Sequence, residues 1–202
     1  MNRISSYAII DRKCDIGKGV VIGEYCVIGK KVAYLKKRLR IKIKNDCRIG
    51  SHVVIYEGVT LGKDTQVEDF CRIGENTNVG NKCRIIYGAK IYGHIQIGDR
   101  CIIGGFICED VIIGKCCRIF GELVHSHKIR TSKFENIRKW DKGGEKSPKI
   151  GSNVFIGFGA KIIGGITIGN NCYILPGSIV TKNVPKNTKV KGVNVFEPNE
   201  LL

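Results

Sequence analysis

Two histidines one residue apart, His125 and His127, are the side chains of this sequence best suited to chemistry. An imidazole changes charge near neutral pH, so it can take a proton from a reacting group or, when neutral, bind a metal ion. Glu122 lies three residues earlier and could orient an imidazole, or it could be an ordinary surface carboxylate. Trp140 and Asp141 follow in the same segment, where the indole could stack on a ligand or pin its own loop.

The elements that must position these residues repeat every six residues. An Ile, Leu or Val occupies the first place, i, of 23 hexads in four blocks, which run through residues 10–28, 43–103, 113–119 and 150–180. The i+4 places carry small or β-branched residues, whereas i+2 and i+3 are mostly polar or charged. A helix cannot use this period, because six residues rotate about 600° and the apolar positions then spiral around it.

The repeat instead predicts an all-β solenoid. Positions i and i+4 point inward, three six-residue strands form one triangular coil, and coils stack about 4.8 Å apart through parallel ladders. The 23 hexads give seven to eight coils. Glycine follows at i+1 in 13 hexads and marks the corners, which need either a positive φ or a very close backbone approach.

Eight of the ten cysteines fall at i+4. They have neither CxxC pairs nor metal-ligand spacing, so we interpret them as small apolar core residues. Free thiols favour a reducing compartment, and no signal peptide is apparent, so we expect a cytoplasmic protein.

The hexad frame breaks three times, and we interpret each break as a bulge or loop extruded from the coil. Residues 34–42 form a basic departure, which is either a solvated face or a contact for anionic ligands. Residues 125–149 form the longest one, and long loops in compact folds tend to carry function. The sequence therefore predicts a solenoid domain over residues 1–185 and a tail over 186–202 that caps the coil.

The balance of charges is strongly basic, with 34 Lys and Arg against 18 Asp and Glu and a net charge of +16. Basic residues are spread over the outward positions rather than interleaved with aromatic residues in one motif, which does not favour nucleic-acid binding. No apolar run approaches the length of a membrane span, so we expect no membrane insertion. A binding or scaffold module nevertheless remains an alternative function.

The stretch that ends at Pro185, SPKIGSNVFIGFGAKIIGGITIGNNCYILPGSIVTKNVP, resembles the closing coils of the hexapeptide-repeat acyltransferases. That family includes galactoside, maltose, nodulation-factor and xenobiotic O-acetyltransferases. A histidine-bearing loop precedes these coils in the family, and His125-Ser126-His127 occupies that place here. The resemblance covers about residues 10–190.

The resemblance implies a left-handed parallel β-helix, a homotrimer and an acetyl-CoA-dependent O- or N-acetyltransferase acting on a sugar or nucleotide-sugar acceptor. A loop histidine would act as general base in direct transfer, without an acyl-enzyme. Either His125 or His127 could correspond to the family's catalytic base. If the hexad frame continued past Ile119, His125 would point inward and His127 would face solvent. No metal is expected. The substrate candidates are Glu122, Trp140 and Asp141, and the positions carried over for coenzyme A are Gly157, Phe158, Gly159, Ala160, Gly177, Ser178, Thr181 and Lys182.

The sequence departs from the family in two places. Pro176 lacks an N–H that could donate to the cofactor, and the segment around Gly192 lacks the family's usual proline and basic residue. A second chemistry is also open, since γ-class carbonic anhydrases share the solenoid and hold zinc with three histidines. His94, His125 and His127 could be imagined in that role.

Overall fold

The structure is a computed structural model, and it describes residues 1–33, 39–126 and 146–198. Within those ranges the regular structure consists of short β-strands of two to four residues, wound into three sheets that form the faces of a prism. All sheet pairings in these ranges are parallel apart from one hairpin near the end of the chain. The expected all-β triangular solenoid is therefore confirmed. Among these residues, no helix is long and apolar enough to span a membrane.

Each coil contributes one strand to each sheet, named A, B and C in chain order. Sheet A contains β1 (Arg3–Ile4), β4 (Val21–Ile22), β7 (Arg48–Ile49), β10 (Gln66–Val67), β13 (Arg84–Ile85), β16 (Ile102–Ile103), β19 (Arg118–Ile119), β22 (Phe155–Ile156), β25 (Tyr173–Ile174), β27 (Thr188–Lys191) and β28 (Val195–Pro198). Sheet B contains β2 (Ile9–Ile10), β5 (Val27–Lys30), β8 (Val54–Tyr56), β11 (Arg72–Ile73), β14 (Lys90–Ile91), β17 (Phe106–Ile107), β20 (Glu122–Val124), β23 (Lys161–Ile163) and β26 (Ile179–Val180). Sheet C contains β3 (Cys14–Ile16), β6 (Ile41–Ile43), β9 (Thr60–Leu61), β12 (Asn78–Val79), β15 (Gln96–Ile97), β18 (Ile112–Ile113), β21 (Lys149–Ile150) and β24 (Thr167–Ile168).

The interior of the prism is the column of aliphatic residues that the repeat predicts. Ile55, Ile73 and Ile91 stack in register along sheet B, and each is fully buried. Strand pairs along all three sheets repeat this in-register stacking, so apolar area is buried continuously from coil to coil.

The cysteines do more than fill space at i+4. The Sγ of Cys47 donates to the Gly62 carbonyl at 3.0 Å, and the Oγ1 of Thr65 donates to the Gly80 carbonyl at 2.8 Å. Both acceptors are corner residues of the next coil, whose carbonyls need partners inside the prism. Cys and Thr are thus interchangeable here because each is small and offers a hydrogen-bond donor.

The cysteine thiols should differ sharply in reactivity. Cys116 is exposed, whereas Cys71 and Cys108 are buried, and burial raises the pKa of both thiols to about 11. Since the thiolate is the reactive form, we expect about one fast equivalent of the folded protein's thiols with Ellman's reagent at pH 8. Cys116→Ser should abolish that fast phase, and a fast phase of several equivalents in this variant would contradict the buried assignment.

The corner glycines resolve an alternative that the sequence leaves open. Positive φ occurs mainly at i+3, where Asp64 (57°) and Asn76 (54°) are examples, whereas among the i+1 glycines only Gly29 has one (91°). A Cβ on Gly62 would lie 2.3 Å from the Gly80 carbonyl oxygen. Close approach between successive coils, rather than backbone angle, therefore requires glycine at i+1.

Two of the three frame breaks, after Ile103 and after Ile119, contain a corner that is two residues shorter than a regular one, in addition to any extruded loop. Ile107 and Leu123 are fully buried and pair with each other in sheet B, yet each lies only four residues after the inward residue of the preceding strand. A third short corner joins Val180 to Val184, which bridges to Ile168. The expectation that every break is an extrusion was wrong, because a corner can lose two residues while the inward positions stay stacked. With these hidden positions included, the described residues form about nine coils.

The stem also continues past residue 185. β27 pairs in parallel with β25, and Val190 is fully buried in line with Ile174. β27 then turns back into the antiparallel strand β28. The described part of the 186–202 segment therefore begins as another strand of the prism.

The basic departure at 34–42 is held at both flanks by one carboxylate. Glu57 is 1% exposed, and its oxygens accept hydrogen bonds from the backbone N–H groups of Val32 (2.8 Å) and Leu39 (2.9 Å). Arg40 lies 3.8 Å from Asp15 in an exposed ion pair. Residues 34–38 lie outside the described part of the chain.

Candidate active site

His125 directly follows β20 at the edge where sheet B turns toward sheet C. Its side chain is 21% exposed. The hexad frame restarts at Leu123, so His125 lies two residues after an inward position. The extrapolation of the frame from Ile119, which turned His125 inward, was therefore wrong, because the shortened corner moves the register by two residues.

Glu109 faces His125 from the preceding coil. Its Oε2 lies 3.6 Å from the Nδ1 of His125. This distance is too long for a direct hydrogen bond, but it is short enough for the carboxylate to stabilise a protonated imidazole. The pair therefore places a carboxylate next to a candidate base, and the Nδ1 of His125 faces that carboxylate.

The two ends of the long loop close beside this pair. The Ser126 N–H points to the Lys146 carbonyl at 3.5 Å, and the Ser147 Oγ donates to the Glu109 carbonyl at 2.5 Å. Gly165 makes room for the returning chain, since a Cβ there would lie 2.1 Å from the Lys146 Cβ. The loop over residues 125–149 therefore leaves and re-enters the stem at the His125–Glu109 pair.

Glu122 pairs with a lysine of the next coil. Its carboxylate lies 3.2 Å from the Nζ of Lys161 and is about two-fifths exposed. Glu122 therefore lies at the surface, as one of the two interpretations of the sequence expects. The hypothesis that it orients an imidazole is not supported for His125, which Glu109 faces instead.

Glu109 is the residue that sequence reasoning missed. Counting in sixes cannot align it with His125, because the corner after Ile119 is two residues short. Ile107 pairs with Leu123, and the residues two places later, Glu109 and His125, meet at the edge. A spacing of sixteen instead of eighteen between inward residues is the signal that could have found it.

Three candidate residues lie outside the described part of the chain: His127, Trp140 and Asp141. Within the described ranges, no three His, Cys, Asp or Glu side chains are grouped closely enough to hold a metal ion. His94 lies at a left-handed corner with φ of 61°.

The eight residues that the family resemblance assigns to coenzyme A divide into buried and exposed positions. Ala160 and Ser178 are fully buried, and the Ser178 Oγ donates to the Val190 carbonyl, so any contact with a cofactor would use their backbone. Gly157 is required by packing, because a Cβ there would lie 2.5 Å from the Pro176 nitrogen. The positions that lie on the surface are Phe158, Gly159, Gly177, Thr181 and Lys182.

Two of these surface positions offer open space. Gly159 and Gly177 have φ of 68° and 70°, and a Cβ on either would meet at most one atom within 4 Å. The Thr181 side chain is held by the Asn194 amide, whose Nδ2 donates to Thr181 Oγ1 at 2.9 Å. Neighbouring glycines with open space permit a ligand to approach the backbone, which fits an extended arm such as pantetheine.

These observations define the class of the protein: a parallel β-helix of hexapeptide repeats with a polar site at the root of an inserted loop. The model described as bacterial transferase hexapeptide (six repeats) matches residues 147–182. The model described as hexapeptide repeat of succinyl-transferase matches residues 40–68. Both matches agree with the sequence resemblance to the hexapeptide-repeat acyltransferases.

Individual relatives agree with this assignment. The chain is 28% identical over 171 residues to the bifunctional protein GlmU of Clostridium botulinum (strain Kyoto / Type A2), which covers 71% of this chain and 37% of that protein. It is 34% identical over 110 residues to the serine acetyltransferase of Staphylococcus xylosus, with coverage of 54% and 48%. The chain thus spans little more than a third of the length of the GlmU relatives.

The fold has solved counterparts. A crystal structure of a UDP-N-acetylglucosamine acyltransferase superposes with a TM-score of 0.70 at 22% identity, covering 97% of this chain and 73% of that one. LpxA from Acinetobacter baumannii gives a TM-score of 0.60 at 21% identity, with coverage of 96% and 72%. The shared architecture is the left-handed parallel β-helix, which confirms the handedness implied by the resemblance.

Proposed function

We propose that this chain is an acetyl-CoA-dependent O- or N-acetyltransferase whose acceptor is a sugar or nucleotide sugar. The observation that carries the proposal is the His125–Glu109 pair at the root of the inserted loop, on a stem whose relatives include acetyltransferases. One solved structure with this fold is that of a UDP-N-acetylglucosamine acyltransferase, which supports a sugar-type acceptor.

The chemistry assigned to the pair is general-base catalysis. The Nε2 of His125 takes the proton of the acceptor hydroxyl or amine as that group attacks the thioester carbonyl. Glu109 stabilises the imidazolium that forms, and the imidazolium then returns the proton to the departing thiolate of coenzyme A. The proton and the acetyl group are both accounted for without a further reactant.

Direct transfer, without an acyl-enzyme, is part of the proposal. Cys108, which directly precedes Glu109, is fully buried, and burial raises the pKa of its thiol to about 11. A buried thiol with a raised pKa is a poor nucleophile, which supports attack by the acceptor itself.

The proposal includes the donor site, the assembly and the compartment. Pantetheine would approach the backbone at Gly159 and Gly177, and the Lys182 charge would face the phosphates. A homotrimer and a cytoplasmic location are supported by the family resemblance and by the free thiols.

The test is a screen for thiol release from acetyl-CoA with amino sugars, hydroxy sugars and their nucleotide conjugates as acceptors. The Cys116→Ser variant is the enzyme of choice because its fast thiol background is removed. We expect acceptor-dependent release with at least one sugar and an acetylated product of matching mass. Hydrolysis of acetyl-CoA that no acceptor accelerates would contradict the proposal.

A further inference from the structure

The edge between sheets A and B is interrupted at two successive coils. Between Ile103 and Ile107, and again between Ile119 and Leu123, the corner is two residues shorter than a full hexad corner. A Cβ on Gly105 would lie 2.3 Å from the Gly121 carbonyl oxygen, so the shortened corners can stack this closely only with glycine at position 105. A coil gains no core burial from losing corner residues, and two stacked losses leave a notch about 10 Å high.

The coils above and below the notch have glycine rims. On the same edge, earlier coils carry Tyr25, His52 and Phe70 at left-handed φ, where bulky residues are unfavourable. The coils that flank the notch carry Gly88 and Gly159 instead. A Cβ on Gly88 would meet nothing within 4 Å, so packing does not require glycine there. Glycine at this position has the effect of keeping the opening of the notch clear.

The walls of the notch combine aromatic and charged groups. Phe106 and Phe120 are half-buried, and Phe158 stacks on Phe120 at 4.7 Å. Lys90 and the Glu122 carboxylate complete the lining of a cavity of about 500 Å³, within the range of small-molecule sites.

We infer that this notch binds the pyranose ring of the acceptor, an inference that rests on the proposed acetyltransferase function and names its acceptor subsite. The C–H face of a pyranose is apolar and packs on phenyl rings, whereas its hydroxyl or amino groups need partners such as Lys90 and Glu122. The pantetheine arm of coenzyme A is an extended chain and is longer than a notch two coils high, so it would meet the notch only at the rim residue Gly159, on its way along the coils toward Gly177.

The notch leads toward the candidate base. Val124 lines it at the end of β20, and His125 is the next residue along the chain. Glu122 and His125 are three positions apart in the sequence, which is about 10 Å along an extended chain. A ring seated on Phe106 and Phe120 therefore directs its edge near Val124 toward His125.

Gly88→Asn tests the subsite. Asparagine is tolerated at left-handed φ, and it already occupies such corners at Asn76 and Asn153. Its side chain should project into the opening of the notch without disturbing the core. Gly192→Asn is the matched control, since Gly192 also has a positive φ (56°) and open space but lies outside the notch.

Two measurements distinguish the subsite from the reaction. Saturation-transfer NMR with methyl β-D-glucosaminide and N-acetylglucosamine reports binding alone, and steady-state kinetics with an acceptor from the screen reports KM for each substrate. We expect Gly88→Asn to weaken sugar binding and raise the acceptor KM about tenfold or more, with the KM for acetyl-CoA within about twofold. Gly192→Asn should change neither, and both variants should keep the wild-type melting temperature within a few degrees.

The opposite results overturn the inference. An unchanged acceptor KM in Gly88→Asn, or a raised KM for acetyl-CoA alone, would show that the acceptor ring is not held in the notch. If wild-type protein binds these sugars and Gly88→Asn does not, yet no acetyl group is transferred, the subsite stands and the acetyltransferase proposal fails. If wild-type protein binds no sugar of the panel, the inference fails.

Discussion

Replacing His125 by alanine is expected to lower kcat for acetyl transfer by about 10²- to 10⁴-fold, the range over which a positioned general base contributes. The melting temperature should change little, because His125 lies at an edge of the prism and is outside the aliphatic core. Added imidazole should restore part of the lost rate, since the cavity left by the side chain can admit a free base. Acetyl transfer at the wild-type rate in His125→Ala would refute the assigned role.

His52→Asn is the matched control for this loss. His52 lies at a regular left-handed corner, stacked between Tyr25 and Phe70, and asparagine is tolerated at its φ of 56°. Its activity should match wild type. An equal loss in both histidine variants would indicate a general effect of altering the stem rather than removal of a base.

Glu109 acts as a positioning residue in the same prediction. Glu109→Gln keeps the shape of the side chain but removes the charge that faces Nδ1 at 3.6 Å. We expect a loss in kcat with an unchanged acceptor KM, and partial recovery in Glu109→Asp. If Glu109 had only a structural role, Glu109→Gln would instead lower the melting temperature, and kcat would not fall while the acceptor KM stayed unchanged.

The sequence predicted the stem because its cause is local and repeated. An aliphatic residue at every sixth place has one way to be buried in a strand of this period, so Ile55 and Ile73 were placed correctly without knowledge of any contact. The aliphatic residues that were missed, such as Ile107 and Leu123, follow shortened corners. A period can be counted only where it is kept, so each deletion hides the inward position behind it.

The site was less predictable for the same reason. His125 was selected by its chemistry and by the loop that follows it, but Glu109 lies in a different coil and is brought beside it by a register that changes by two residues. Residue chemistry identifies a candidate base in the sequence, whereas its partner depends on which coil lies next to it. The notch has the same origin, since Gly105 and Gly121 meet through two stacked deletions.

Gly62→Ala is expected to destabilise the stem strongly, although it adds only one methyl group. The new Cβ would lie 2.3 Å from the Gly80 carbonyl oxygen and 2.4 Å from its carbon, both of which belong to the backbone of the next coil. Neither coil can move aside, because the Gly62 and Gly80 N–H groups donate to Val79 and Ile97 at 2.8 and 2.9 Å. Overpacking against a fixed backbone costs about 3 kcal/mol.

Gly192→Ala separates crowding from backbone angle in this prediction. Gly192 has a φ of 56° and open space around its Cα, so alanine there incurs only the left-handed penalty of about 1 kcal/mol. For a chain of this length, melting temperatures should fall by roughly 6–12 °C in Gly62→Ala and by roughly 2–4 °C in Gly192→Ala. Equal losses would mean that backbone angle governs both glycines. The larger loss in Gly62→Ala would instead establish that the i+1 glycines are selected by the spacing between coils, the same spacing that sets His125 against Glu109.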